Sequence, residues 1–225
     1  MNTSPFGDAR IVQSWRINAG AWARAVRDGR IESRTQVTDA AIVDAVLSRS
    51  PRSVLDVGCG EGWLARELSA RNIDVVGVDV IPELVEEAQC AGGGDFRVIS
   101  YEDLSADHFG AAFDAVVCNF SLLGKASVES VFESVPSLLT PDGGFIVQTL
   151  HPAVACGDYP YRDGWREGSW AGFDDDFSDP APWYFRTLET WMKLFVEHGV
   201  RLLEIREPVH PTTERPVSVI FVGAR

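Results

Sequence analysis

The sequence predicts an α/β protein built on a doubly wound, mostly parallel sheet. Three observations carry that reading. The stretch Val54-Leu55-Asp56-Val57-Gly58-Cys59-Gly60-Glu61-Gly62 runs an apolar strand into alternating glycines, and Leu64, Ala65 and Leu68 follow at helical spacing. One strand further on, Val75-Val76-Gly77-Val78-Asp79 is a second buried run with an acid at its carboxyl end. Apolar strands and amphipathic helices then keep alternating through the chain.

Glycines at 58, 60 and 62 let the backbone take positive φ and approach a ligand with no Cβ in the way. An acid placed as Asp79 is reaches a ribose hydroxyl pair in sheets of this kind. The turn is therefore a nucleotide-type loop. A dinucleotide fingerprint wants its third glycine where Trp63 stands, and its helix N-terminus receives a pyrophosphate. Asp56 and Glu61, if ionised, would repel that pyrophosphate and favour a ligand carrying positive charge. S-adenosylmethionine, with a ribose, a sulfonium and an ammonium, fits.

The same residues and three later stretches resemble the class I S-adenosylmethionine-dependent methyltransferases. Asp56 to Gly62 is similar to the first motif of that family, and Asp79 to its ribose-binding acid. Phe113-Asp114-Ala115-Val116-Val117-Cys118-Asn119 resembles its fourth strand, and Leu138-Leu139-Thr140-Pro141-Asp142-Gly143-Gly144-Phe145-Ile146-Val147 its turn into the fifth. The resemblance covers roughly residues 50 to 151. It implies a Rossmann-like seven-stranded sheet in the order 3-2-1-4-5-7-6 with the last strand antiparallel, S-adenosyl-L-methionine as cofactor, and methyl transfer to a small-molecule acceptor. It also implies cofactor contacts from Asp56, Gly58, Cys59, Gly60, Glu61, Gly62, Asp79 and Val80, and from Asn119 and Phe120 at the end of the fourth strand.

One departure concerns the adenine. The family often places an acid after the third strand, where this chain has Ser100 followed by Tyr101, Glu102 and Asp103. Ser100, the Tyr101 amide, Glu102 or Asp103 then holds the base. Enzymes that methylate nucleic-acid bases carry two prolines after the fourth strand, and Asn119-Phe120-Ser121-Leu122 has neither. Two rival readings stand beside this one. An NAD(P)-dependent oxidoreductase shares the sheet, but Trp63, Asp56 and Glu61 count against it. A protein that binds S-adenosylmethionine without catalysis is separated from an enzyme by no residue in the sequence.

The remaining elements follow in order. Ile11, Val12, Trp15, Ala19, Trp22, Ala23 and Val26 predict an amphipathic helix over 8 to about 29, part of an N-terminal helical cap spanning about 8–49. Thr38 or a neighbour is expected to cap the next helix, which ends before Pro51. Helices follow over 61 to 70 and from Pro82 onward, the latter with proline in its first turn. Phe96, Val98 and Ile99 form the third strand, Phe113 to Cys118 the fourth, and the fifth ends at Thr149-Leu150-His151. Val128, Val131, Phe132 and Val135 mark the helix between the last two. Residues 152 to 186 hold nine aromatic rings among glycines, prolines and acids without regular periodicity, and are expected to lie over the acceptor as a lid. Thr187 caps a helix closed by Gly199, and Leu202–Ile205 with Val217–Val222 read as a final antiparallel pair.

Length and composition bound the rest. A chain of 225 residues with 45% hydrophobic and 24% charged residues suits one globular methyltransferase domain. A net charge of −13 disfavours nucleic acid as a partner, whose phosphates need Lys and Arg. No run is long enough for a bilayer and no secretory signal is visible, so a cytoplasmic location with no membrane partner is the expectation. Four cysteines at 59, 90, 118 and 156 show no C-x-x-C, and Asp174-Asp175-Asp176 reads as a solvated turn, so no metal is expected. A hydroxyl or carbon acceptor needs a base, for which His151, Tyr161 and His210 are the candidates by placement. The acceptor's identity and the oligomeric state are not fixed by the sequence.

Overall fold

The computed structural model describes residues 5–173 and 175–225. The chain forms α1 (Asp8–Arg27), a π-helical turn (Arg34–Thr38), α2 (Asp39–Leu47), β1 (Ser53–Val57), α3 (Trp63–Ser69), β2 (Asp74–Asp79), α4 (Pro82–Ala91) and β3 (Asp95–Val98). It continues through β4 (Phe113–Asn119), α5 (Ala126–Leu138), β5 (Leu139–Leu150), α6 (Pro152–Ala155), β6 (Gly164–Arg166), β7 (Trp183–Phe185), α7 (Leu188–Glu197), β8 (Arg201–Arg206) and β9 (Ser218–Ala224). The main sheet has seven strands in the order β3-β2-β1-β4-β5-β9-β8. With the separate β6–β7 hairpin set aside, this is the expected 3-2-1-4-5-7-6 order. β9 runs antiparallel to both of its neighbours.

Each central strand is buried on both faces, as its continuous apolar run requires. One layer, built on Phe132, Phe145, Trp191, Phe195 and Phe221, packs α5 and α7 against the sheet. The other packs α2, α3 and α4 against Val54, Val75, Val117, Ile146 and Ile220. Side chains alternate along a strand. The residue two beyond each of these toward the carboxyl edge, or two before it on reversed β9, therefore faces the same way. Those residues are Asp56, Asn119, Gln148 and Ser218, with Asp79 four beyond Val75. The apolar layer ends in a row of polar groups at the carboxyl edge.

Several local expectations need correction. Thr38 does not cap α2: it closes the π turn in helical conformation, makes no side-chain cap bond, and its carbonyl accepts from Gln148 Nε2 at 3.2 Å. β5 begins at Leu139, directly after α5, and a register shift lets it rejoin β4 at Gly144, so the expected turn at Asp142 is an irregularity within a strand. The stretch over 152–186 contains regular structure that its composition did not announce: a helical turn and the hairpin β6–β7. Thr187 does cap α7, accepting from Thr190 N–H at 3.2 Å.

Among the described residues, no helix is long and apolar enough to cross a membrane.

Gly62 sits at φ 82°, and a Cβ there would lie 2.9 Å from Phe96 Cζ and 3.0 Å from Ala88 Cβ. Gly62→Ala is expected to lower the unfolding free energy by about 2–3 kcal/mol, from the left-handed backbone together with that overlap. Urea denaturation measures it, and a loss below about 0.5 kcal/mol, the size of an ordinary surface change, would show that the turn relaxes freely.

Candidate cofactor and acceptor site

β1 delivers the glycine turn to the middle of the sheet's carboxyl edge. Gly58 N–H and Cys59 N–H both donate to Val78 O, at 2.8 and 3.0 Å, which ties the turn to β2. Gly58 has φ 75°, and a Cβ on it would fall 2.6 Å from Tyr101 Oη and nearer still to Ser121 Cβ, so no other residue fits. Cys59 is buried beneath the turn. Burial pushes its thiol pKa well above the ordinary range, which disfavours a reactive thiolate.

Asp79 closes β2. Its Oδ2 accepts from Gly60 N–H at 2.9 Å and its Oδ1 from Ile81 N–H at 2.9 Å. Burial raises its pKa, while the amides of Ile81, Gly60 and Val80 oppose the rise. Asp56 stands next in the row and is nearly fully buried, with Oδ2 bonded to no protein group. Burial, aided by the charge of Asp79, pushes its pKa up to about 7.

Glu61 behaves differently from the expectation. Its carboxylate is buried between Arg27 Nε at 3.1 Å and Arg66 Nη2 at 2.6 Å. A neutralised carboxylate repels nothing, so the charge argument rests on Asp56 alone.

Three segments border the turn on the side of β2 and β3. α1 packs Trp15, Trp22, Ala19 and Ala23 against Val80, Ile81 and Leu84, the residues that follow Asp79. Trp22 Nε1 lies 3.7 Å from the Cβ position of Gly60, so that ring borders the turn. Ser100 Oγ donates to Asp103 Oδ2 at 2.8 Å, which places a carboxylate beside the position where the resemblance expects an acid. Tyr101 reaches back to the first glycine and donates to Ser121 O at 3.0 Å, while Glu102 is exposed.

At the end of β4, Asn119 has a buried Oδ1 with no partner. Phe120 takes φ 53°, a strained value for a side chain of that size, and its N–H donates to Gln148 O at 2.8 Å. Asn119 and Gln148 are partners in the β4–β5 register.

The three candidate bases separate. His151 is buried at the end of β5, its Nε2 lies 2.7 Å from Glu207 Oε1, and its Nδ1 is buried without a partner. Tyr161 is half exposed, and its hydroxyl accepts from Leu188 N–H at 2.9 Å, so it serves the start of α7. His210 lies in the β8–β9 loop, where its Nδ1 accepts from the amides of Thr212 and Thr213. Among the described residues, no hydrogen bond joins these two to the His151–Glu207 pair.

The segment over 152–186 is pinned at two places. Tyr184 N–H donates to Leu123 O at 2.8 Å, and the buried Arg186 donates to Gly124 O and Lys125 O at 2.8 and 3.0 Å. Further along, Asn18 of α1 exchanges hydrogen bonds with Ser178 at 2.7 and 2.9 Å, and Ser14 donates to Asp179 O. Trp15 and Trp22 meet Trp170 and Phe173 edge-on or tilted, at 5.8 and 6.3 Å. Asp176 pairs with Arg24 at 3.0 Å, and Asp174 lies outside the described residues.

Sequence reasoning passed over Arg34, Gln148, Ser218 and Glu207. Arg34 is buried in the π turn with its guanidinium 4.6 Å from the Trp63 ring; Nε donates to Asp39, and Nη2 has no partner. Gln148 and Ser218 were visible only as single polar residues interrupting or opening apolar strands.

A seven-stranded sheet in this order, with a glycine turn after the first strand and an acid closing the second, defines the class I methyltransferase fold. Comparison with known proteins agrees. The methyltransferase-domain family matches residues 32–205, and the chain belongs to that family. A ubiquinone biosynthesis O-methyltransferase of Xanthomonas oryzae pv. oryzae is 36% identical over 118 residues, 50% of this chain and 49% of that protein. The chain thus aligns with about half the length of the curated relatives it matches. Among solved structures, an S-adenosylmethionine-dependent methyltransferase from Mesorhizobium loti superposes with TM-score 0.60 at 21% identity, covering 78% of this chain and 91% of that one. The 1,6-didemethyltoxoflavin-N1-methyltransferase of Burkholderia thailandensis, solved with S-adenosylhomocysteine, gives 0.63 at 19% identity, covering 93% and 87%. At these identities the structural likenesses establish the fold.

The state of Asp56 is open to direct measurement. A carboxyl whose pKa is about 7 in the folded protein holds its proton more tightly than in the unfolded chain. Stability is therefore lost as pH rises from about 4 to about 7 and stays lost above that. Asp56→Asn removes this contribution and is expected to be more stable than wild type at pH 8 by on the order of 2–4 kcal/mol, with the gap closing toward pH 4. Denaturant titrations across that range check it; a gap independent of pH would contradict it.

Proposed function

We propose that this protein is an S-adenosylmethionine-dependent methyltransferase acting on a small-molecule acceptor. The observation that carries the reading is the buried, unpartnered carboxylate oxygen of Asp56 beside a glycine turn that leaves no room for a side chain at Gly58 or Gly62. A lone buried carboxylate suits a cationic ligand, and a pyrophosphate placed against it would meet like charge. The NAD(P) reading is disfavoured for that reason.

The residues fit the cofactor group by group. Asp79 keeps acceptor capacity beyond its two amide bonds and takes the ribose diol. Asp56 faces the ammonium. Arg34 Nη2, a buried donor with no partner, takes the carboxylate. Asp103, held by Ser100, takes the adenine amino group in place of the missing acid, and Val80 with Trp22 walls the base. When bound, S-adenosylmethionine supplies a methyl group on a sulfonium leaving group, so the protein has chiefly to hold and align.

α1 and residues 152–186 act as cap and lid of a single domain, excluding water from the transfer. For a hydroxyl acceptor, His151 receives the proton at Nδ1, and Glu207 holds the ring in place through Nε2. The names of the relatives, an O-methyltransferase of ubiquinone biosynthesis and an N1-methyltransferase of a toxoflavin precursor, support a small acceptor.

Asp79→Asn is expected to weaken S-adenosylmethionine binding by roughly 1.5–3 kcal/mol, the scale of a lost hydrogen bond to a charged group, and unchanged affinity by calorimetry refutes the ribose assignment. His151→Ala is expected to lower turnover of a hydroxyl acceptor by about 10²- to 10⁴-fold with cofactor affinity intact. Full turnover in His151→Ala would return that residue to a purely structural part.

A further inference from the structure

We propose that Gln148, Ser218 and Thr38 form the acceptor subsite and select an acceptor that presents an O–H or N–H donor. The inference rests on the methyltransferase reading and gives its acceptor a chemical class.

The polar row at the carboxyl edge does not stop at the cofactor. Beyond Asp79, Asp56 and Asn119 it continues onto β5 and β9 through Gln148 and Ser218, which are 1% and 0% exposed. A buried amide costs stability unless both its ends are bonded. Gln148 meets that condition at one end only: its Nε2 donates to the carbonyl of Thr38, and its Oε1 is buried without a partner. The bond settles which end is free, since a carbonyl accepts and only the NH₂ can face it. The free end is therefore an acceptor, and any group that satisfies it must donate.

Two hydroxyls complete the arrangement. Ser218 opens β9 opposite Leu150, one alternation beyond Gln148 on the same face, and its Oγ has no partner. Thr38 closes the π turn whose carbonyl holds Gln148, is 1% exposed, and its Oγ1 is also unpartnered. π-helical turns recur at functional sites because they displace a helix locally to aim its groups. Three elements thus bring three buried, unsatisfied groups to one face, next to Asn119, which is Gln148's register partner. An apolar core has no use for such a set. A ligand does.

The pattern also discriminates. Ser218 and Thr38 can donate or accept, but Gln148 Oε1 only accepts, so an acceptor lacking a polar hydrogen leaves it unbonded. Sites built to bond an O–H or N–H reject analogues without one far more steeply than apolar pockets reject a missing methylene.

The test is methyl transfer from tritium-labelled S-adenosylmethionine to phenol, catechol, benzylamine and 2-pyridone, with pyridine and N,N-dimethylbenzylamine as nucleophilic probes lacking the donor. Transfer is expected only to the first group. For the best of them Gln148→Leu should raise KM at least tenfold, with calorimetric affinity for S-adenosylmethionine within twofold of wild type. Ser218→Ala and Thr38→Val should raise KM by a smaller factor and leave the unfolding temperature unchanged or higher, because the hydroxyls removed have no partner in the fold. Three results would overturn the proposal: no transfer to any donor-bearing probe by protein that binds the cofactor, an unchanged KM in Gln148→Leu, or a fall in unfolding temperature beyond about 4 °C in both hydroxyl variants. Failure of wild-type protein to bind S-adenosylmethionine overturns the methyltransferase reading instead.

Discussion

The carboxylate of Asp79 accepts one hydrogen bond from Gly60 and one from Ile81, and through it the turn after β1 is fastened to the turn after β2. Those two turns are the floor of the site. Gly58 and Cys59 add bonds from the same turn to Val78, so the glycine loop is held by the neighbouring strand rather than by its own helix. α3 is short and has no side-chain cap, and it relies on this support. Burial, aided by the like charge of Asp79, raises the cost of an ionised Asp56, which the protein relieves by holding a proton there near neutrality. A cationic ligand would remove that cost outright.

Above the floor, coverage comes from sequence-distant parts. α1 lays two tryptophans over the residues after Asp79, and the segment beyond β5 returns across α1 to meet them. Aromatic contact alone tolerates sliding. The paired bonds between Asn18 and Ser178, made by a buried side chain, fix the register of that contact. At the other end Arg186 is buried without a carboxylate bond and donates to carbonyls of the β4–α5 loop, and burial lowers its pKa. The covering segment is therefore anchored to both the N-terminal helix and the β4–α5 loop, and most of its aromatic residues precede the two anchors.

Most of the fold was legible in the sequence because parallel strands buried on both faces leave unmistakable runs, and the glycine turn with Asp79 set their order. Legibility failed where side chains answer to distant partners. Glu61 looked like a second carboxylate facing the ligand, yet its charge is consumed by Arg27 and Arg66, one of them on α1. Thr38 had the composition of a cap but stands in a π turn whose carbonyl serves Gln148. Gln148 and Ser218 sit in strands recognised from their apolar neighbours, and only the register between β4, β5 and β9 shows that they extend one polar row. His151 was placed correctly at the strand end, whereas Glu207, on which its geometry depends, lies 56 residues later with no local signature.

The central claim is that the turn around Asp56 and Asp79 receives a cationic adenosyl ligand rather than a dinucleotide. Calorimetric titration of the purified protein with S-adenosylmethionine, S-adenosylhomocysteine and NAD, run in parallel, tests it most directly. The account predicts tight binding of the first two and none of NAD, with S-adenosylmethionine affinity falling as pH drops below about 7 and Asp56 takes up its proton. Binding of NAD alone would contradict it and place the protein among the oxidoreductases that share its sheet.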